Sequence, residues 1–116
     1  MNIESLREHC IKKPGVTEEF PFDEDTLVFK VGGKMFVLTD VGNFTSINIK
    51  CEPETVIQRI DEYSAVNSGY HMNKKYWITV MMDGTISDHK ILLWVDESYD
   101  LVYSRLPAKI KSGIIS

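Results

Sequence analysis

Residues 26–41 read TLVFKVGGKMFVLTDV: two runs rich in β-branched and aromatic side chains on either side of Gly32-Gly33. A two-glycine linker supplies the positive φ values that a tight hairpin requires, so this segment is constrained to fold back on itself as paired strands, Thr26 to Val31 and Lys34 to Val41. With the glycines as the loop, Val31 pairs with Lys34 and Lys30 with Met35. Leu27, Phe29, Val31, Phe36 and Leu38 are then expected to share the face turned to the core. After a Gly42-Asn43 turn, Ser46 to Cys51 continues the meander, with Ile47, Ile49 and Cys51 inward and Ser46, Asn48 and Lys50 outward.

The flanks read as helices. Ile3, Leu6, Cys10 and Ile11 fall on one helical face after Asn2, a cap residue, and Pro14-Gly15 stops the helix near residue 13. Residues 53–63, PETVIQRIDEY, open with a proline suited to a first helical turn and are expected to pack through Val56, Ile57, Ile60 and Tyr63. Ser87 caps a last helix whose inner side carries Ile91, Val95, Ser98, Tyr99 and Val102, as far as Pro107; the tail from Ala108 frays or adds a short turn. Between these helices, Trp77 to Met82 reads as a fourth strand ended by Asp83-Gly84, with a short partner after the turn. Residues 16–25 read as an acidic loop with solvated carboxylates and with Phe20 and Phe22 tucked into the core's edge. The expected architecture is α+β: a two-layer sandwich, an antiparallel sheet with helices on one face, in the order α-β-β-β-α-β(-β)-α.

At 116 residues and 43% hydrophobic, the chain is the size of one domain spanning 1–116. Thirteen basic against 17 acidic side chains give a net charge of -4, which excludes broad charge-driven attraction to nucleic acid or anionic membranes, so phosphate binding requires a local patch. The longest apolar run, Ile91 to Val95, is too short to span a bilayer, and the amino terminus lacks a signal-type pattern. Cys10 and Cys51 form no ligand or redox motif and are expected as reduced, partly buried thiols of a cytoplasmic protein.

Two groups of residues could carry chemistry. On the outward face the meander aligns Lys30, Met35 and Lys50, with Thr26, Thr39, Ser46 and Asn48 further along. Strands lie about 4.8 Å apart, so Lys30 and Lys50 are on the order of 10 Å from each other, a spacing suited either to successive phosphates or to ordinary solubilising charges. The stretch GYHMNKKYW, residues 69–77, concentrates cations, an imidazole, an amide and three large aromatics. Alternation puts Trp77, Thr79 and Met81 opposite Ile78, Val80 and Met82. Trp77 would then stack on a base or cover a partner's apolar group while Lys74, Lys75, Asn73 and His71 donate to phosphate or carboxylate; alternatively the aromatics are packing and the lysines a solvated loop. His9, His71 and His89 have no paired ligand spacing, so no metal is expected. No nucleophile signature and no glycine-rich phosphate loop is present, and no cofactor is implied.

Taken together, PGVTEEFPFDEDTLVFKVGGKMFVL, INIKCEP, GYHMNKKYWITV and SYDLVYSRLP resemble the MmcQ/YjbR family of small bacterial proteins across residues 14–107. The resemblance implies a fold similar to type III secretion chaperones and frataxin-like (CyaY-like) sandwiches, and a role in DNA binding. Its matching positions are Lys30, Lys34, Lys50, Tyr70, His71, Asn73, Lys74, Lys75 and Trp77; Tyr76 stands where many relatives would carry histidine. The expected partner is therefore DNA, with Lys50, Lys74 and Lys75 on phosphates, Trp77 and Tyr70 stacking, and Asn73 and His71 adding hydrogen bonds. The alternatives are an adaptor for a protein or peptide, similar to a secretion chaperone, and an enzyme acting on a small anionic metabolite through His71.

Overall fold

The structure is a computed structural model that describes residues 1–70 and 72–114. Its elements are α1 (Ile3–Ile11), β1 (Val16–Glu19), β2 (Thr26–Val31), β3 (Lys34–Asp40), β4 (Ser46–Lys50), α2 (Pro53–Glu62), β5 (Val66–Ser68), β6 (Trp77–Met81), α3 (Asp88–Ser104) and α4 (Ala108–Ile114). The strands form one antiparallel sheet in the order β1-β2-β3-β4-β6-β5, packed on one face by α1, α2 and α3. The expected α+β sandwich is the observed one.

The hairpin forms as the glycines dictate: Gly32 and Gly33 take φ of 58° and 81°, Val31 pairs with Lys34, and Lys30 pairs with Met35. The next pair is Phe29 with Val37, so Phe36 is an extra residue, a β-bulge. Two consequences follow. Phe36 and Val37 both enter the main core, and every later residue of β3 changes sides. Leu38, expected in the main core, instead pairs with Val28 on the outer face. Thr39, expected on the outer face, pairs with the inward residues Leu27 and Ile47 and donates its hydroxyl to the Ser46 carbonyl at 2.8 Å. The bulge also accounts for a polar residue on the apolar stripe of α3: buried Ser98 donates to the Phe36 carbonyl at 2.7 Å. The Phe36 ring meets Tyr99 edge-on with centroids 5.5 Å apart.

The caps read from the sequence are present. Asn2 accepts from the Ser5 N–H at 2.8 Å and Ser87 from the Lys90 N–H at 3.2 Å. α2 differs from expectation: Val56 is buried, but Ile57 is 70% exposed, and the helix is anchored at its end by Tyr63 and Arg59 against Trp94 of α3. The segment expected as an acidic loop contains β1. Its Glu18 makes a two-point contact with Arg7 at 2.6 and 2.8 Å, and Glu19 reaches Lys30 at 3.4 Å. Asp23 accepts the Asp25 and Thr26 N–H groups, while Phe20 and Phe22 stand 50% and 64% exposed rather than tucked in. The short partner of β6 precedes it, as β5, instead of following Asp83-Gly84. The tail forms α4, held by close approach: a Cβ on Gly32 would lie 3.0 Å from Ile110, and one on Gly15 2.7 Å from Ile114. No helix among the described residues is long and apolar enough to cross a membrane.

Candidate functional site

Antiparallel register brings one set of turns to each end of the sheet. Val16 pairs with Val31, Val31 with Lys34, and Lys50 with Trp77. The start of β1, the β2–β3 hairpin, the end of β4 and the start of β6 therefore share one end, with the α3–α4 junction packed on Gly32. Residues 12–16, 30–34, 50–53, 72–77 and 104–111 make up that end. They hold every Lys and Arg of the chain except Arg7, Arg59 and Lys90, and their one carboxylate is Glu52. The opposite end, residues 20–26, 40–46 and 81–88, carries Asp23, Glu24, Asp25, Asp40, Asp83 and Asp88 and no Lys or Arg. A chain with net charge -4 is thus polarised along its strands, with a basic and an acidic end.

Within the basic end the cations differ in their freedom. Lys13 is committed to Asp96 at 2.6 Å, Lys30 to Glu19, and Lys111 to the Ser104 carbonyl at 2.8 Å. Lys34, Lys74 and Lys75 are exposed and, like Lys50, make no ion pair among the described residues. The Lys75 ammonium lies 5.7 Å from the Tyr76 ring centroid. Lys50 lies 5.9 Å from that of Trp77. Burial first, and then the charges of Arg105 and Lys34, hold Lys50 below the usual lysine range.

Gly69 and residues 72–77 fold down over the outer face of the sheet. Gly69 donates to the Trp77 carbonyl at 2.8 Å, and its missing side chain makes room, since a Cβ would sit 2.6 Å from that of Trp77. Trp77 is 5% exposed and packs with Val28 and Leu38 beneath Met35, Met72 and Tyr76. Its indole is under cover, and this second small core is what the bulge at Phe36 creates by sending Leu38 outward. Asn73 is spent on the turn: its side-chain oxygen accepts from the Lys75 N–H at 3.0 Å and its carbonyl from Tyr76 at 3.1 Å. Tyr70 is 70% exposed, with its N–H on the Thr79 hydroxyl, which in turn donates to Asn48. His71 lies outside the described residues.

The sites proposed from sequence therefore divide. Lys34, Lys50, Lys74 and Lys75 come together at the basic end; Lys30 is neutralised by β1, and Tyr70 borders a different feature. That feature is a cleft of about 550 Å³ on the outer face, between Phe22 and Tyr70, with Thr26, Leu38, Ser46 and Asn48 in its lining and Asp23 and Asp40 at its acidic side. Sequence reading missed Arg105, which the end of α3 sets beside Lys50; the chain offered only a basic residue two positions before Pro107 as its signal. No group of three or more metal-type ligands occurs among the described residues.

The family model named YjbR matches residues 11–101. The uncharacterized protein YjbR of Escherichia coli K12 is 32% identical over 116 residues, covering 99% of this chain and 98% of that one. YbdF of Escherichia coli O157:H7 is 33% identical over 104 residues, 89% of this chain and 85% of its own. Among solved structures, Deinococcus radiodurans protein DR2400, a DUF419 family-model domain, superposes with a TM-score of 0.89 at 33% identity, over 97% of this chain and 87% of that one. A Pseudomonas syringae protein shares the fold at a TM-score of 0.72 and 24% identity, over 88% and 99%. On a family model spanning most of its length and a full-length relative of nearly one-third identity, the chain belongs to the MmcQ/YjbR family.

Proposed function

We propose that this protein is a DNA-binding module that meets the phosphate backbone with the basic end of its sheet. The observation that carries this reading is the segregation of charge: in an acidic chain, Lys34, Lys50, Lys74 and Lys75, which make no ion pair among the described residues, converge on one end where Glu52 is the one carboxylate. A local field of this kind attracts a polyanion that the net charge would repel. The lysines of the 69–77 loop touch phosphates, and Trp77 supports the loop from below rather than stacking on bases. Two buried, unpaired cysteines suit a reducing compartment such as the cytoplasm.

Fluorescence anisotropy against short labelled duplex and single-stranded DNA, at low and near-physiological salt, tests the reading. Saturable binding is expected, with a log–log salt slope of about -0.9 per phosphate neutralised; Lys74→Ala/Lys75→Ala should flatten that slope by about two units. Absence of saturable binding at low salt would sink the proposal.

A second reading has an observation of its own. The outer-face cleft, with Phe22 and Tyr70 exposed at its rims and Asp23 and Asp40 beside them, offers aromatic and anionic surface to a peptide segment bearing apolar and basic side chains. Binding of such a peptide that falls with Phe22→Ala and is indifferent to Lys74→Ala/Lys75→Ala would favour this adaptor reading over DNA.

A further inference from the structure

At the junction of α3 and α4 a cavity of about 210 Å³ opens between the cations Lys34, Lys50 and Arg105 on one side and Leu101, Val102 and Leu106 on the other. The loop lysines Lys74 and Lys75 do not line it. Its chemistry is unbalanced: Lys34 and Lys50 have no carboxylate within 4.0 Å among the described residues, and Arg105 has one, Glu52, at 2.5 Å. Gathering three cations around one carboxylate costs free energy through mutual repulsion, and the cost is greatest for Lys50, which is also partly desolvated. The carboxyl end of α3 would add negative potential here, but Lys111 donates to its Ser104 carbonyl at 2.8 Å and offsets it.

We infer that this cavity binds the dianionic head of a small phosphate monoester, with Lys34, Lys50 and Arg105 on the phosphoryl oxygens and the ester's short apolar group against Leu101, Val102 and Leu106. The charge surplus left after Glu52 matches a dianion better than a carboxylate. The apolar wall gives an ester an advantage over inorganic phosphate. The volume lies below the roughly 300–1,000 Å³ of sites that enclose larger ligands, so the occupant is small or only the end of something longer. A free phosphate monoester and the 5′-phosphate terminus of a nucleic acid strand share this chemistry. The site is independent of whether the 69–77 loop touches DNA.

Titration of the full chain with n-butyl phosphate, followed by amide shifts in ¹H–¹⁵N correlation spectra, tests it. Saturable shifts are expected at Lys34, Lys50 and Val102, with weaker binding of inorganic phosphate and of butyrate. Lys50→Met should weaken n-butyl phosphate binding by at least about tenfold, as expected for a lost charge-assisted hydrogen bond. Lys75→Met should change it by less than about twofold, as for a screened surface charge. Should Lys50→Met lose its dispersed spectrum, Arg105→Gln carries the same expectation. A 5′-phosphorylated oligonucleotide that moves these amides where its 5′-hydroxyl counterpart does not assigns strand ends as the source. If neither oligonucleotide moves them while n-butyl phosphate does, the source is a free monoester. The inference is overturned if no saturable shift occurs at these amides, or if n-butyl phosphate binds no better than inorganic phosphate. It is equally overturned if Lys50→Met and Lys75→Met weaken binding alike. Loss of DNA binding in Lys74→Ala/Lys75→Ala with n-butyl phosphate binding intact would separate the two sites.

Discussion

Burial pushes the Cys10 thiol up to about 12 and that of Cys51 up to about 11. Both lie within the main core, Cys10 on the inner face of α1 and Cys51 just past β4, where the Arg59 guanidinium sits 3.4 Å from its sulfur without outweighing desolvation. The thiolate is the reactive form, so at pH 8 the rise to about 11 by itself cuts the thiolate population of Cys51 about a hundredfold, and lack of access slows both sites further. Iodoacetamide should therefore label native protein at least about a hundredfold more slowly than urea-unfolded protein, with both sites labelled together on unfolding. Mass spectrometry over a time course checks this; rapid labelling of either cysteine in the native state would place that thiol at the surface. At Lys50 the same desolvation acts on a cation, and the charges of Arg105 and Lys34 add to its effect. Burial keeps the thiols in their neutral form at little cost, whereas it penalises the ammonium, which is ionised at neutral pH.

The bulge in β3 decides what the outer face of the sheet can present. By sending Leu38 outward beside Val28 it builds a second hydrophobic layer, onto which Trp77, Met72 and Tyr76 fold, so the loop that carries Lys74 and Lys75 rests on side chains rather than in solvent. Leu38 is 4% exposed, and Leu38→Ala should cost about 2–4 kcal/mol through lost burial and the cavity left behind. It should also shift the Trp77 emission to longer wavelength and raise amide exchange in residues 72–77. Chemical denaturation with fluorescence detection measures the first two effects and hydrogen exchange the third; a stability change below about 0.5 kcal/mol would mean that the loop holds itself. Most of this architecture was legible in the chain. The Gly-Gly hairpin, the alternation of β4 and β6 and the caps Asn2 and Ser87 each depend on neighbours a few residues away. The bulge was not legible, because Phe36-Val37-Leu38 is apolar throughout and offers no alternation from which a change of face could be read. β1 and β5 were missed for a related reason: VTEE and VNS are short and polar, and become strands only because β2 and β6 offer them an edge. The lysines of the candidate site were legible as residues; the cover over Trp77 and the approach of Arg105 to Lys50 arise from contacts made by the folded loop and the end of α3.

At the scale of the whole molecule, what matters is that opposite charges sit at opposite ends of the same strands. Lys34 and Asp40 bound β3, and the six steps between them, at about 3.3 Å each, place them about 20 Å apart. The Debye length is about 10 Å at 0.1 M salt, so near physiological ionic strength each end presents its own field and the net charge of -4 describes neither. A protein with a pI near 5.3 and uniformly mixed charges would bind an anion exchanger at pH 7.5 and pass through heparin unretained. Here both media should hold it at about 0.1 M salt, the exchanger through Asp23, Asp25, Asp40 and Asp83 and heparin through Lys34, Lys50, Lys74 and Lys75. Substitution should separate the two interactions. Lys74→Ala/Lys75→Ala should elute from heparin at lower salt and from the anion exchanger at slightly higher salt, while Asp23→Asn/Asp40→Asn should do the reverse. Gradient chromatography of the three proteins checks the pattern. A wild-type protein that flows through heparin at about 0.1 M salt would show that the lysines do not act together, and would remove the field on which recognition of any polyanion depends.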